Sequence, residues 1–287
     1  MSILQTKIDF AVVLRVKRAN PNGDPLNGNR PRTDYNGYGE ITDVCLKRKI
    51  RDRLQEASEE GQQKYKIFVQ SDDRKNDDAK SLRDRAEKAL GKKFGTSETA
   101  KLAQETWFDV RAFGQLFALP PRKNKAKDEG EEGDTGVSIP IRGPVTVQSA
   151  FSVQPVEVTS TQITKSVSGE GDGSKRGSDT MGMKHRVDGG IYVFFGSMNP
   201  QLAERTGFSD EDAEAIKQVL PKMFENDASS ARPDGSMEVL KVIWWKHSSR
   251  LGQHSSAKVH RTLSVKPTGE IELASLDGLK PDVIDGF

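Results

Sequence analysis

The chain has 287 residues, 34% of them hydrophobic and 30% charged, and a net charge of +2. That length fits one elaborated domain or two small ones. A mean hydropathy of −0.67 leaves room for exposed loops, or for surface covered only in an assembly. Near-neutral charge carries no nucleic-acid signal, so only local clustering can. The one cysteine, Cys45, excludes an intrachain disulfide framework and a cysteine-rich zinc site. No apolar run approaches a membrane span, and MSILQTKIDF lacks the pattern of a signal peptide. The expectation is a soluble, cytoplasmic protein with no membrane partner.

Residues 7–19, KIDFAVVLRVKRA, place Phe10, Val12, Leu14 and Val16 on one face and Arg15 and Lys17 on the other, which predicts a strand. An Asn- and Gly-rich loop follows. ITDVCLKRKIRDRL, at 41–54, then predicts a helix with Leu46, Ile50 and Leu54 on its apolar stripe and Thr42 or Asp43 as cap. Residues 57–113 are highly charged, with short helical patterns such as AKSLRDRAEKAL at 79–90. TWFDVRAFGQLFAL, at 106–119, is apolar enough to pack back on the core. Residues 120–136 pass from basic to acidic with almost nothing apolar, the pattern of an exposed, disordered loop.

Residues 137–167 are strand-like, 168–184 form a polar hairpin excursion, and 187–200 read as a buried strand ending in a turn. Residues 209–224 predict a helix whose Ser209 and Asp212 make a capping box. Two more strands are expected at 238–248 and 257–267. Two βαβ-type halves with antiparallel additions predict an α+β, ferredoxin-like core. The insertion at about 58–137 would sit on it as a separate lobe, and no solenoid repeat is visible.

The helix carries Lys47, Arg48, Lys49, Arg51 and Arg53, with Lys47 and Arg51 four apart and pointing the same way. Such a stripe is either a phosphate-neutralising face or an ordinary solvated one. The loop before it offers Asn20, Asn22, Gly23, Asn27, Gly28 and Asn29 for positive φ and backbone N–H groups, with Arg30 and Arg32 as cations. Its spacing fits neither a Walker loop nor a dinucleotide fingerprint. Asp24 is either a base or metal ligand, or the holder of an Asx turn. It has no nearby second carboxylate for a two-metal site. The four histidines form no HExxH pair and are expected on strands or at the surface. Cys45 has no base partner and is expected as a small, at least half-buried residue. In the hairpin excursion, Met181 and Met183 stand among Lys165, Lys175, Arg176, Lys184 and Arg186, which suits either base-wedging or a mobile loop.

The ordered segments NPNGDP, DVCLKRKIRDRL, DVRAFGQLF, IRGPVTVQSAFSVQP, TQITKS, MGMKHRVDGGIYVFFGSMNP and WWKHSSRLGQHSSAKVHR together resemble the CRISPR-associated backbone subunit of type I Cascade complexes, most closely the type I-C version. The resemblance runs from about Ile8 to Val265. It implies a modified RNA-recognition-motif (RRM), ferredoxin-like palm, an inserted helical finger lobe and a β-hairpin thumb. The palm would span 1–57 and 138–287, the finger 58–137 and the thumb about 160–186.

It further implies a non-catalytic subunit that polymerises along CRISPR RNA and presents guide segments to target DNA. Its partners would be further copies of itself and the large, small and RNA-end-capping subunits, with no cofactor and no metal. Mapped on the matching motifs, the implied RNA contacts are Asn20, Asn22, Gly23, Lys47, Arg48, Arg51, Gln148, Gln162, Thr164, Lys165, Met183, Lys184 and Arg186, with Arg30 and Arg32 in the same loop. Phe10, on the first strand, is expected in the core and not as a base-stacking platform. A related branch cuts RNA with an aspartate in the region of Asp24. The NGDP context differs, so catalysis is not expected.

Overall fold

The computed structural model describes residues 2–59, 65–119, 137–164 and 181–287. Strand β1 (Ile8–Ala19) leads into a small ladder of β2 (Gly23–Asp24) and β3 (Arg30–Pro31), then β4 (Tyr38–Ile41) and helix α1 (Asp43–Glu59). The insertion contributes α2 (Leu82–Leu90), α3 (Thr99–Thr106), α4 (Phe108–Phe113) and the paired strands β5 (Gly114–Leu119) and β6 (Val137–Arg142). Next come β7 (Val145–Val147), β8 (Ala150–Pro155), β9 (Val158–Thr164), the long β10 (Met181–Met198), α5 (Pro200–Thr206) and α6 (Asp210–Val219). The chain closes with β11 (Met237–Lys246), α7 (Ser256–His260), β12 (Leu263–Val265), β13 (Ile271–Leu273) and β14 (Asp282–Asp285). The loop expected at 120–136 and most of the excursion at 168–184 lie outside the described residues.

The central sheet runs β14-β11-β1-β10-β8-β4, with β7 and β9 also on β10. Its neighbours are antiparallel. Helix α1 lies in the connection from β1 to β8, and α6 in that from β10 to β11. The order β11-β1-β10-β8 is therefore that of two interlocked split βαβ units, the ferredoxin-like topology.

Strand β1 is central because both its faces are apolar. Phe10, Val12, Leu14 and Val16 join Leu46, Ile50 and Leu54 of α1 and Ala213 and Ile216 of α6. Ala11 and Val13 face the other way, among Ile243, Trp245, Val259 and Leu279. Each fully buried aliphatic or aromatic side chain here contributes about 1.5–3 kcal/mol. The second cluster covers part of the face on which an ordinary RNA-recognition motif stacks bases. Phe10 is fully buried in the helix-side core, as expected.

One expected strand is corrected. The strand expected at 257–267 begins instead as α7. The Ser255 side chain accepts the Lys258 N–H, capping the turn that lowers Val259 onto the sheet. Only Leu263–Val265 is extended, paired with β13.

A separate apolar cluster gathers Phe68, Ala86, Leu90, Ala103, Trp107, Val110, Phe117 and Ile141, the last from β6 just past the expected insertion. The Phe68 ring lies 4.7 Å from Trp107 and 5.3 Å from Phe117. Helix α4 straddles two cores, giving Phe108 and Ala112 to the helix-side core of the sheet and Val110 to the cluster around Phe68. Arg111 fixes it to α6 through two bonds to Asp212, at 2.8 and 2.7 Å. Asp212 also completes the predicted capping box with Ser209.

Candidate nucleic-acid interface

The loop after β1 is held by its own side chains. Asn20 is buried and donates from Nδ2 to the Asn29 carbonyl at 2.6 Å. The Asn22 side-chain Oδ1 accepts from the Thr42 N–H and hydroxyl at 3.0 and 2.9 Å. The Thr42 hydroxyl in turn accepts the Cys45 N–H at 3.3 Å, so the loop is stitched to the start of α1. A Cβ on Gly23 would lie 2.0 Å from Asn29 Oδ1, so a larger residue would have to displace the Asn29 side chain. Asp24 accepts the Leu26 N–H at 3.2 Å and pairs with Arg32 at 3.3 Å, the turn-holding alternative. Asn20, Asn22 and Gly23 thus build the loop's shape. Among the described residues, Arg30 makes no ion pair.

The basic helix is corrected in detail. Lys47 pairs with the partly exposed Asp43 at 2.9 Å, and Arg48 reaches back to the buried Asp52 at 3.0 Å. Arg51 instead turns inward to Asp109 at 2.9 Å, beneath the ring of Phe113. Asp109 is itself buried and accepts the Phe68 and Val69 N–H groups at 2.7 and 3.0 Å. Lys49 is buried against Asp227, and Arg53 bridges to Glu56. Burial pushes the Lys49 ammonium down to about 8, against the pull of Asp227. Lys47 and Arg51 therefore form no common solvent-facing stripe. Lys47 and Arg48 remain outward, and their side chains are 23% and 36% exposed.

The hairpin of β9 and β10 pairs Thr164 with Met181, Gln162 with Met183, Lys184 with Thr161 and Arg186 with Thr159. Opposed residues share a face of an antiparallel ladder. Gln162, Thr164, Met181 and Met183 thus line one face, and Ile163, Lys184 and Arg186 the other. Met181 and Met183 are 66% and 55% exposed. Lys165 lies outside the described residues. Gln148 is exposed, beside β10, with its backbone N–H on the Phe195 carbonyl at 2.8 Å.

A family model described as CRISPR-associated protein Cas7 matches residues 6–280. The chain belongs to the Cas7 family. It is 31% identical over 240 residues to the CRISPR-associated protein Cas7 of Haloferax volcanii, an alignment covering 77% of this chain. The chain spans only 65% of that relative's length. A solved structure titled CRISPR RNA-guided surveillance complex, pre-nicking, aligns with a TM-score of 0.48 and 16% identity, covering 84% of this chain and 76% of the other. Another, titled CRISPR RNA-guided surveillance complex, gives a TM-score of 0.46 and 16% identity, covering 95% and 77%.

Two features of this Cas7-family chain escaped the reading of its residues. The first is a buried cluster on Asp9. His247 bonds Asp9 Oδ2 at 2.9 Å, and its Nδ1 accepts the Gln253 N–H at 3.0 Å, which leaves the proton on Nε2. Lys7 stands 3.1 Å from the same oxygen, and His260, stacked on Phe195, 3.5 Å from Oδ1. Burial opposes the Asp9 charge, but His247, His260, Ser256 and Lys7 outweigh it and hold the carboxyl well below its usual range. His247 is therefore a buried clasp, not the strand or surface residue expected. Among the described residues, no group of three or more His, Cys, Asp or Glu side chains is placed to hold a metal, and no helix is long and apolar enough to cross a membrane. The second feature is Arg18, which has a φ of 53°. An αL arginine leaves no trace in a hydropathy pattern.

Proposed function

We propose that this chain is the non-catalytic CRISPR RNA-binding backbone subunit of a type I surveillance complex, of the type I-C kind, and that several copies line one RNA. The palm would comprise 1–57 and 138–287, with a finger at 58–137 and a thumb at about 160–186. The observation that carries the reading is the β9–β10 ladder. It presents exposed Met181 and Met183 on one face and Lys184 and Arg186 on the other. Apolar wedges displace bases while cations hold phosphates, whatever the guide sequence.

On this reading the RNA contacts are Arg30, Lys47, Arg48, Gln148, Gln162, Thr164, Lys165, Met183, Lys184 and Arg186. Asn20, Asn22, Gly23 and Arg32 shape the loop, and Arg51 positions the helix from inside. Target DNA would meet the subunit through the guide, and the other Cascade subunits would complete the assembly. The test is co-purification with CRISPR RNA followed by electron microscopy. The expected result is a regular array of copies on RNA. RNA-free single particles would overturn the proposal. Magnesium-dependent cutting of complementary RNA, abolished by Asp24→Ala, would overturn its non-catalytic part.

A further inference from the structure

Among the described residues, three non-glycine residues have positive φ: Arg18 at 53°, Asn29 at 58° and Asn226 at 52°. Asparagine tolerates the left-handed region because its short amide bonds locally. Arginine has no such excuse. The conformation itself has a structural purpose. Phe10, Val12, Leu14 and Val16 alternate into the helix-side core, and Ala19 enters that same core one position out of phase. Arg18 is the residue that turns the chain over between them. Glycine would do this without steric cost.

Among the described residues the arginine side chain makes no hydrogen bond, although its charge reaches Asp188. It is exposed and makes no ion pair among the described residues. The ladder pairs Lys17 with Gly189 and Ala19 with Val187, which brings Arg18 level with Asp188. That carboxylate is already engaged, by the Thr159 hydroxyl at 2.6 Å and Arg186 at 3.3 Å. The Thr159 bond first, then the charges of Arg186 and Arg18, hold it below its ordinary range. Lys184 and Arg186 stand two residues apart on one face of β10, and Arg18 lies at the next step. Steps of two residues repeat every ~6.7 Å along a strand, a spacing that suits successive phosphates of an extended strand. Arg30, which makes no ion pair among the described residues, adds a further cation from β3, which packs on β10.

Strained backbone kept with an exposed, unpaired charge points to use outside the chain. We propose that Arg18 binds a backbone phosphate of the RNA, extending the Lys184–Arg186 row from the hairpin to the root of the loop. This rests on the RNA-binding reading above and adds a residue that neither the composition nor the resemblance had singled out.

The test compares wild type, Arg18→Gly and Arg18→Lys on a labelled single-stranded RNA over a range of salt. Arg18→Gly should bind several-fold more weakly at low salt, with a log–log salt slope shallower by about 0.7, one phosphate's share. Its Tm should equal or exceed that of wild type, because glycine relieves the backbone. Arg18→Lys should restore most of the slope. Unchanged affinity and slope in Arg18→Gly, with wild type binding RNA, would overturn this inference alone. A clear fall in Tm would also overturn it, by assigning the arginine to the fold. Normal binding of a one-copy RNA with loss of multi-copy assembly would overturn it as well, moving the anion to a neighbouring subunit. No RNA binding by wild type would remove the functional reading itself, and this inference with it.

Discussion

Two basic regions of the molecule look alike as sequence and differ as structure. Helix α1 carries five cations, and each has a carboxylate partner. Lys49 and Arg53 are buried and Arg51 nearly so; Lys49 and Arg51 join the helix to Asp227 and Asp109, and Arg53 pairs with Glu56 within it. Around the base of the β9–β10 hairpin, Arg18, Arg30 and Lys184 make no ion pair among the described residues, and Arg186 has one exposed contact at 3.3 Å. Density of positive charge is therefore a poor measure of charge available to a ligand. A buried, paired cation is committed to the fold, because releasing it strands its partner in a low-dielectric site.

The contrast breaks most visibly at Arg51. Arg51→Ala leaves Asp109 buried with its charge uncompensated, which should cost about 3–5 kcal/mol. Urea unfolding measures this, and RNA affinity of the folded protein should barely change. A stable Arg51→Ala variant with weakened RNA binding would restore the original view of the helix.

Removing the exposed hairpin cation should do the opposite. Lys184→Ala should leave stability within about 0.5 kcal/mol and reduce the salt slope of RNA binding by about 0.7. A stability loss with an unchanged slope would erase the distinction between the two regions.

Lys49 sharpens it through pH. Its ordinary value is 10.5 and its folded value about 8. Between those values the unfolded chain binds more protons than the folded one, so this group's contribution to stability rises with pH across the window. The stability difference between wild type and Lys49→Met should therefore grow in favour of wild type from about 8 to 10.5. A flat difference would mean that the ammonium is not desolvated.

The smallest effect belongs to Lys47 on α1. Lys47→Ala should cost at most about 1 kcal/mol, since its i,i+4 partner Asp43 is solvent-accessible. RNA binding should weaken and its salt slope become shallower. A loss as large as that of Arg51→Ala would place this side chain in the framework as well.

Several features were legible because they depend on neighbours within a few residues. The alternation of β1, the apolar stripe of α1, the Ser209–Asp212 box and the turn-holding alternative for Asp24 all stand in the structure. The stapled loop was legible only in part. Its Asn and Gly content signalled unusual backbone, but not that Asn20 and Asn22 would spend their amides on Asn29 and Thr42. The opposed faces of the hairpin needed the register, which sequence spacing alone does not supply.

Periodicity, caps, turn chemistry and, through ordered motifs, the family can all be read along the chain. Tertiary structure alone decided which cations are free. The partners of Lys49 and Arg51 are Asp227 and Asp109, brought close by folding. It also decided that residues from α7 onward would cover the second face of β1, with Asp9 clasped by His247. Long-range pairing is selected by burial and by the need to satisfy each buried charge, and neither condition exists until distant segments meet.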